Sequence, residues 1–215
     1  MTEATVPLGL RVEVPIASFR QSRAREYAET YPVPPPATVY GMLLSLVGEV
    51  DRYRHRGVKL AIALVSQPEQ STVIRTFRRF KKKDIHDPSN ARPDYQELLT
   101  NVQFIVWIDA GTEKTKPTLP ERLQQALTNP SSINRFGGLS LGESRDLVNA
   151  IYPLQQQDQE DHLYWLIQDE DGLLTLPYWV DHVGSRGTRW HRYQQSQPSP
   201  DWQIPELAWT VIQSD

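Results

Sequence analysis

Val39, Met42, Leu43, Leu46, Val47 and Val50 recur at the spacing of a single helix face. The run Tyr31-Pro32-Val33-Pro34-Pro35-Pro36 delivers the chain to them. Prolines fix φ and remove backbone donors, so this lead-in is stiff and extended. The spacing predicts a helix that begins near Thr38, a plausible N-cap, and buries one face. A chain built this way needs a sheet to cover that face.

Strand signals lie on both sides. Leu10, Val12, Val14 and Ile16 alternate with polar residues or proline, which predicts a half-buried strand ending or lying at an edge near Pro15. Residues 59–65 form a short apolar run, and 102–108 (VQFIVWI) form a β-rich one. Thr118 and Glu121 have capping-box spacing and open a second helix. Residues 147–154 supply another strand. Between the second and third strands, residues 72–100 are polar and basic, with a turn at Asp87-Pro88-Ser89-Asn90, and read as a protruding β-hairpin.

The expected order is β-α-β, hairpin, β-α-β. This is an α+β, ferredoxin-like or RRM-like frame over residues 1–155, with an insertion at about 72–100. Such sheets leave one face open, where bases can be presented to side chains. Residues 155–161 read as a polar linker. Residues 156–215 form a short β-rich extension, with Asp171-Gly172 marking a hairpin between 163–168 and 173–180. Residues 183–200 read as loop, and 207–212 as a last strand.

Composition removes several function classes. Cysteine is absent, so no thiolate acts as nucleophile or ligand. The five histidines lack HxH or HxxxH spacing, and no cofactor is called for. No membrane-spanning run or basic-apolar leader occurs, so the expectation is a cytoplasmic protein. His86 between Asp84 and Asp87 sits in a turn and carries no catalytic assignment.

The net charge is −3, which taken alone argues against nucleic acid. Its distribution argues the other way, because a polyanion responds to local potential. Six of the nine residues from 75 to 83 are basic: Arg75, Arg78, Arg79, Lys81, Lys82 and Lys83, with Phe77 and Phe80 among them. Cations neutralise phosphates and aromatic rings stack on bases. The alternative is a solvated hairpin whose two aromatics anchor in the core. Arg20, Arg23 and Arg25 follow the first strand beside Phe19 and Tyr27. They present guanidinium forks to phosphate, or pair with Glu26 and Glu29. The loop from Arg135 to Arg145 contains Gly137, Gly138, Ser140, Gly142 and Ser144. It offers backbone N–H groups to an anion, or is a tight structural turn. Arg52-Tyr53-Arg54-His55-Arg56 follows the first helix, where cations suit a helix C-terminus. Arg186, Arg189, His191 and Arg192, with Trp190 and Tyr193, are a further RNA surface or simply packing. Five of the six tryptophans fall after residue 160, as an interface or a small core.

These pieces together resemble a known family. The segment from Phe19-Arg20 through the proline run to Ala37-Thr38-Val39-Tyr40-Gly41-Met42-Leu43 is similar to the N-terminal signature of the CRISPR-associated Cas-five family of the RAMP superfamily. Residues 137–144 resemble its glycine-rich loop. The hairpin at 72–100 sits where that family inserts a "thumb". The resemblance covers about residues 1–155, and the tyrosine-proline lead-in and the glycine-rich loop lean toward a type I-B-like branch. It implies a subunit that caps a type I effector (Cascade) and holds the 5′ handle of the crRNA. Backbone and large subunits would be its neighbours, and target DNA would be met indirectly through the complex. On this chain Arg20, Arg23 and Arg25 would hold handle phosphates, Arg75–Lys83 would follow the RNA at the thumb, and Arg135–Arg145 would line the pocket. One branch of the family cuts precursor crRNA with a tyrosine and an adjacent Lys-His pair. No Lys-His dipeptide occurs here, and Tyr40 or Tyr53 would have to stand in for the tyrosine. The expectation is therefore a non-catalytic subunit. A metal-independent endoribonuclease and an RNA-free interaction subunit are the rival readings.

Overall fold

A computed structural model describes residues 6–78, 81–155, 162–181 and 187–214. It shows an α+β fold built on one mostly antiparallel sheet with two helices. The strands are β1 (Leu8–Ala17), β2 (Tyr27–Ala28), β3 (Lys59–Leu64), β4 (Glu69–Arg78), β5 (Ala91–Asp109), β6 (Ala150–Pro153), β7 (Tyr164–Gln168), β8 (Leu174–Trp179), β9 (Arg189–Gln195) and β10 (Thr210–Val211). The helices are α1 (Pro36–Leu46) and α2 (Leu119–Thr128). The main path of the sheet runs β6-β1-β5-β3-β7-β9-β8. β10 pairs with β3, while β2 and β4 pair with β5.

Alternation divides the residues of β1, β3 and β5 between two faces. Leu10, Val12, Val14, Ile62, Phe104 and Val106 pack against Val39 and Leu43 of α1 and Leu123 of α2. Each such side chain contributes about 1.5–3 kcal/mol on burial. Val50 closes the expected helical stripe in sequence, yet it lies beyond α1 and is 93% exposed. Helix α1 also starts earlier than expected. Pro36 is its first residue and Pro35 its cap, with no side-chain cap bond. A proline at the first position has the right φ and lacks only an N–H that would be unpaired anyway. The Thr118–Glu121 capping box forms as read.

The second face of the sheet is not open. Ala61, Ala63, Ile105 and Trp107 are buried there beneath Trp165, with Trp202, Ile204 and Trp209 packed around them. Trp107 stacks on Trp165 at 4.8 Å and meets Trp202 edge-on at 6.2 Å. Trp165, Trp202 and Trp209 thus cover the surface on which an RRM-type sheet would display bases.

The hairpin expected across Asp171-Gly172 is replaced by another pairing. β7 and β8 both pair with β9, which runs between them. Gly172 makes this possible, because a Cβ there would lie 2.3 Å from the Tyr193 carbonyl oxygen. The sequence of β9, RWHRYQQ, buries only Tyr193 fully, which is why it reads as loop. No helix is long and apolar enough to cross a membrane among the described residues.

Candidate nucleic-acid interface

The arginine loop after β1 is pinned on three sides. The Ser18 N–H donates to Asp146 Oδ2 at 2.9 Å. The Phe19 N–H donates to Thr30 Oγ1 at 2.8 Å, and the Tyr31 N–H to the Phe19 carbonyl at 2.8 Å. The Thr30 N–H reaches Glu97 on β5 at 2.9 Å. Within the loop, Tyr27 stacks on Tyr95 at 6.0 Å where β2 adds in parallel to β5, a strand absent from the expectation. Arg20 donates to the Ala24 carbonyl at 3.1 Å and so shapes the loop it belongs to. Glu26 pairs with Arg92 rather than with a loop arginine. Among the described residues, Arg23 and Arg25 form no ion pair. Phe19 is buried in the core and also lines the cleft beside Arg20.

The thumb is a long hairpin. β4 pairs with the first half of β5 from Glu69↔Thr100 to Arg78↔Ala91, and the same β5 strand then continues as the central strand against β1 and β3. Asn101, at φ 57, marks the joint between the two halves. At the tip, buried Asn90 accepts the N–H groups of Lys81 and Lys82 at 2.9 and 3.1 Å and donates to the Asp84 carbonyl at 2.7 Å. Hydrogen bonds from Ser89 hold the Asp87 carboxyl below its usual range, and Lys82 approaches it at 3.4 Å. Arg78, Lys81, Lys82 and Lys83 are exposed. Arg79 and Phe80 lie outside the described residues. Phe77 is 46% exposed, so it does not anchor the hairpin in the core.

The glycine-rich loop folds onto the end of β1. Asp146 accepts from Ser18 and also from the Glu143 N–H at 2.9 Å. Gly142 has φ +105, and a Cβ on it would lie 2.7 Å from the Ser18 carbonyl oxygen. The N–H groups of Leu141 and Val148 bond within the loop, and Ser140 bridges to Leu147. Several of the donors proposed for an anion are therefore already used. Arg145 reaches across to Gln96 of β5 at 2.6 Å and pairs with Glu143 at 2.5 Å. Gln96 in turn donates to Glu143 at 2.9 Å. This latch joins the loop to the middle of the β4–β5 hairpin.

The result is convergence of segments distant in sequence. Arg20 and Arg25 of the loop meet Arg75 and Phe77 of the thumb around one small cleft, with Tyr95, Gln96 and Glu143. Two larger clefts adjoin the same loop. One, of about 560 Å³, lies between Arg20, Pro35, Thr38, Gly142 and the β8–β9 region. The other, of about 580 Å³, lies between Arg23, Pro32 and Leu174. Both are lined by Tyr31 and Trp190. Gly137, Gly138 and Ser144 are exposed on the loop's outer run. Arg135 is placed elsewhere, in a separate cleft with Gly41, Gly48, Val50 and Phe136.

Arg52 corrects the helix-dipole reading. It lies along α1 rather than beyond its end, donating to the Ala37 carbonyl at 2.8 Å and sitting 5.3 Å from the Tyr40 ring and 5.4 Å from the Trp179 ring. Its burial lowers its pKa. Arg54 pairs with Glu49, and His55 bonds to buried Glu113. The segment is structural. In the last group, His191 stacks on Tyr178 at 4.1 Å, and Arg192 donates to the Gly172 carbonyl at 3.0 Å. Arg186 lies outside the described residues. Gln96 and Asp146 have no local motif in the sequence to flag them, while Tyr31 and Glu143 stand inside the proline lead-in and the glycine-rich loop without an individual role.

A family model for CRISPR-associated protein (Cas_Cas5) matches residues 8–212. The chain belongs to the CRISPR-associated Cas5 family. CRISPR-associated protein Cas5 of Myxococcus xanthus (strain DK1622) is 42% identical over 206 residues, spanning 93% of this chain and 96% of that protein. A chain of a CRISPR RNA-guided surveillance complex shares the fold with a TM-score of 0.65 at 14% identity, over 90% of each chain. A crystal structure described as a Cas protein does so with a TM-score of 0.54 at 17% identity, over 94% of this chain and 98% of the other. Within this Cas5 chain, Tyr40 is fully buried and its hydroxyl donates to the Arg52 carbonyl at 2.9 Å. Burial raises the Tyr40 pKa far above its ordinary value. Tyr53 leans edge-on against Trp179 at 5.2 Å, with Arg56 5.5 Å from its ring centre.

Proposed function

We propose that this Cas5 chain is a non-catalytic subunit of a type I Cascade complex that holds the 5′ handle of the crRNA. The observation that carries the reading is the meeting of Arg20 and Arg25 with Arg75 and Phe77. Roughly fifty residues of chain separate these groups, and they meet along the outer half of the β4–β5 ladder of an exposed basic hairpin. Guanidinium groups there can neutralise phosphates, and Phe77 can lie against a base. The strand order β6-β1-β5-β3, with both helices packed on one face, supports a ferredoxin-like palm over residues 1–155. Residues 72–100 act as its thumb, and 156–215 as its β-rich extension. The covered second face directs RNA to the loop-and-thumb edge rather than to the sheet surface. The thumb meets the backbone subunit, the large subunit docks alongside, and target DNA is reached through the guide in the cytoplasm.

The non-catalytic reading is supported by the Tyr40 hydroxyl, which is buried and committed to a backbone carbonyl. The test is the full chain with repeat-derived RNA at several salt concentrations. Binding should weaken steeply with salt, with log K falling about 0.7 per phosphate contact for each tenfold rise in salt. A flat salt dependence would remove the RNA-binding role. Specific metal-independent cleavage would replace it with the nuclease reading.

A further inference from the structure

The two larger clefts are in effect one groove. Ser22, Tyr31 and Trp190 line both of them. Trp190 comes from β9, the strand hidden by its polar sequence, and stands opposite Pro177 of β8 in the ladder. It is 37% exposed and has no aromatic partner among the described residues. Tyr31 forms the facing side, with its hydroxyl tied to Ser22; burial raises its pKa, while Ser22 and nearby Arg23 lower it. An isolated ring of this kind is costly to leave in water and is the stacking surface that single-stranded nucleic acids use.

The surroundings select a base over an apolar peptide. Arg20 and Arg23 border the groove, one on each cleft. Hydroxyls of Ser22, Thr38 and Thr188 lie along it and supply donors and acceptors for base edges. Glu143 is the acidic residue lining it, and its carboxylate is occupied by Arg145 and Gln96. A phosphate following the arginine loop would leave its base directed into this space.

We infer that the Tyr31–Trp190 groove is a base-binding subsite that takes an unstacked nucleotide of the bound RNA, with Trp190 as its stacking platform. The inference rests on the RNA-binding reading above and deepens it. Arg20, Arg25 and Arg75 hold the backbone without regard to sequence. Trp190 and the hydroxyls select which base sits in the groove. The β-rich extension, whose Trp190 region reads from sequence as either an RNA surface or packing, then contributes directly to recognition.

The experiment uses the full chain and a repeat-derived single-stranded RNA of about ten nucleotides, within the site size of one such module. Its counterparts carry an abasic ribose at each position in turn. In the wild type, one abasic position should weaken binding about five- to hundredfold. Trp190→Ala should weaken binding of the intact RNA by a similar factor and be insensitive to that same abasic position. Trp190→Phe should keep most of the affinity, and circular dichroism should show all variants folded. Trp190→Ala binding intact RNA like the wild type would overturn the inference, as would equal losses on intact and abasic RNA. A Trp190→Ala chain that binds RNA normally but fails to join its protein neighbours would assign the groove to a protein, which also overturns it. The underlying reading is tested separately by Arg25→Glu with Arg75→Glu. If that pair weakens binding while Trp190→Ala leaves it at the wild-type level, the base subsite alone falls. If the wild type binds no RNA, the RNA-binding role itself falls.

Discussion

Asp146 accepts the Ser18 N–H at 2.9 Å across 128 residues of chain, joining the glycine-rich loop to the point where β1 becomes the arginine loop. The same carboxylate oxygen accepts the Glu143 N–H. One buried side chain therefore sets the relative position of the two loops that form the cleft. Asp146→Ala leaves two backbone donors without an acceptor, at about 1–3 kcal/mol for a buried one. The expected result is a lower denaturation midpoint together with weaker RNA binding. Asp146→Asn, which keeps a carbonyl oxygen, should recover part of both. Chemical denaturation and a binding titration on the same samples check this.

Gly142 and Gly137 both have positive φ, at +105° and +70°, yet they should respond differently to alanine. At Gly142 the new Cβ meets the Ser18 carbonyl at 2.7 Å and Asp146 Oδ2 at 3.0 Å, so strain and collision add. At Gly137 nothing lies within 4 Å, and only the left-handed conformation is penalised, by about 1–2 kcal/mol. Gly142→Ala is expected to lower both thermal stability and RNA affinity. Gly137→Ala should lower stability slightly and leave affinity unchanged. Thermal melts and titrations of the two variants separate a structural turn from a ligand-facing one.

The legible parts of this chain were those whose signal is local. The α1 stripe, the Thr118 capping box and the apolar runs of β3 and β5 each encode their own geometry within a dozen residues. The basic hairpin was legible for the same reason, since its charges cannot be buried. The obscured parts depend on partners far away in sequence. β9 is stabilised by backbone pairing on both sides, and its polar side chains conceal that. Arg52 looked like a surface cation because Trp179, which closes over it together with Tyr40, is distant along the chain. The expectation of an open sheet face failed for a related reason. Nothing within the sheet strands announces that Trp202, Ile204 and Trp209 will return to cover them. Of the candidate site, the arginines and the thumb were legible, while the residues that hold them in place were not.

The thumb carries a prediction that separates assembly from folding. Arg78, Lys81 and Lys82 are exposed, and Asn90 holds the tip through the backbone of Lys81 and Lys82 rather than their ammonium groups. Reversing all three to glutamate therefore leaves the Asn90 hydrogen bonds intact and removes only the exposed Lys82–Asp87 contact. Exposed substitutions of this kind change stability by about 0.5 kcal/mol or less each. The expected outcome is an unchanged melting temperature with impaired assembly on crRNA and a shallower salt dependence of RNA binding. Size-exclusion chromatography of the reconstituted complex measures the first effect. Assembly at the wild-type level would show that the thumb does not follow the RNA.

The loop after α1 makes stability depend on acid. Glu49 would be raised by its burial, but hydrogen bonds from Arg122 and the Asp51 N–H, with the charges of Arg122 and Arg54, outweigh that and lower its pKa from 4.5 to about 2. The folded value lies below the unfolded one. The stabilisation is therefore complete above pH 4.5 and is lost as pH falls from 4.5 toward 2. Arg122 contacts Glu49 at 2.5 Å, the Val47 carbonyl at 3.0 Å and His55 Nε2 at 2.8 Å, and a guanidinium only donates, so His55 accepts there and donates through Nδ1 to Glu113. Glu49→Gln should flatten the acid limb of stability against pH between 4.5 and 2 and cost stability at neutral pH. Arg122→Ala leaves the Glu49 carboxylate with only Arg54 and the Asp51 N–H, and should cost about 1–3 kcal/mol at neutral pH. That cost should shrink as Glu49 takes up its proton. Denaturation midpoints of the three proteins at pH 3, 5 and 7 test the sign, and an Arg122→Ala penalty that grows on acidification would contradict it.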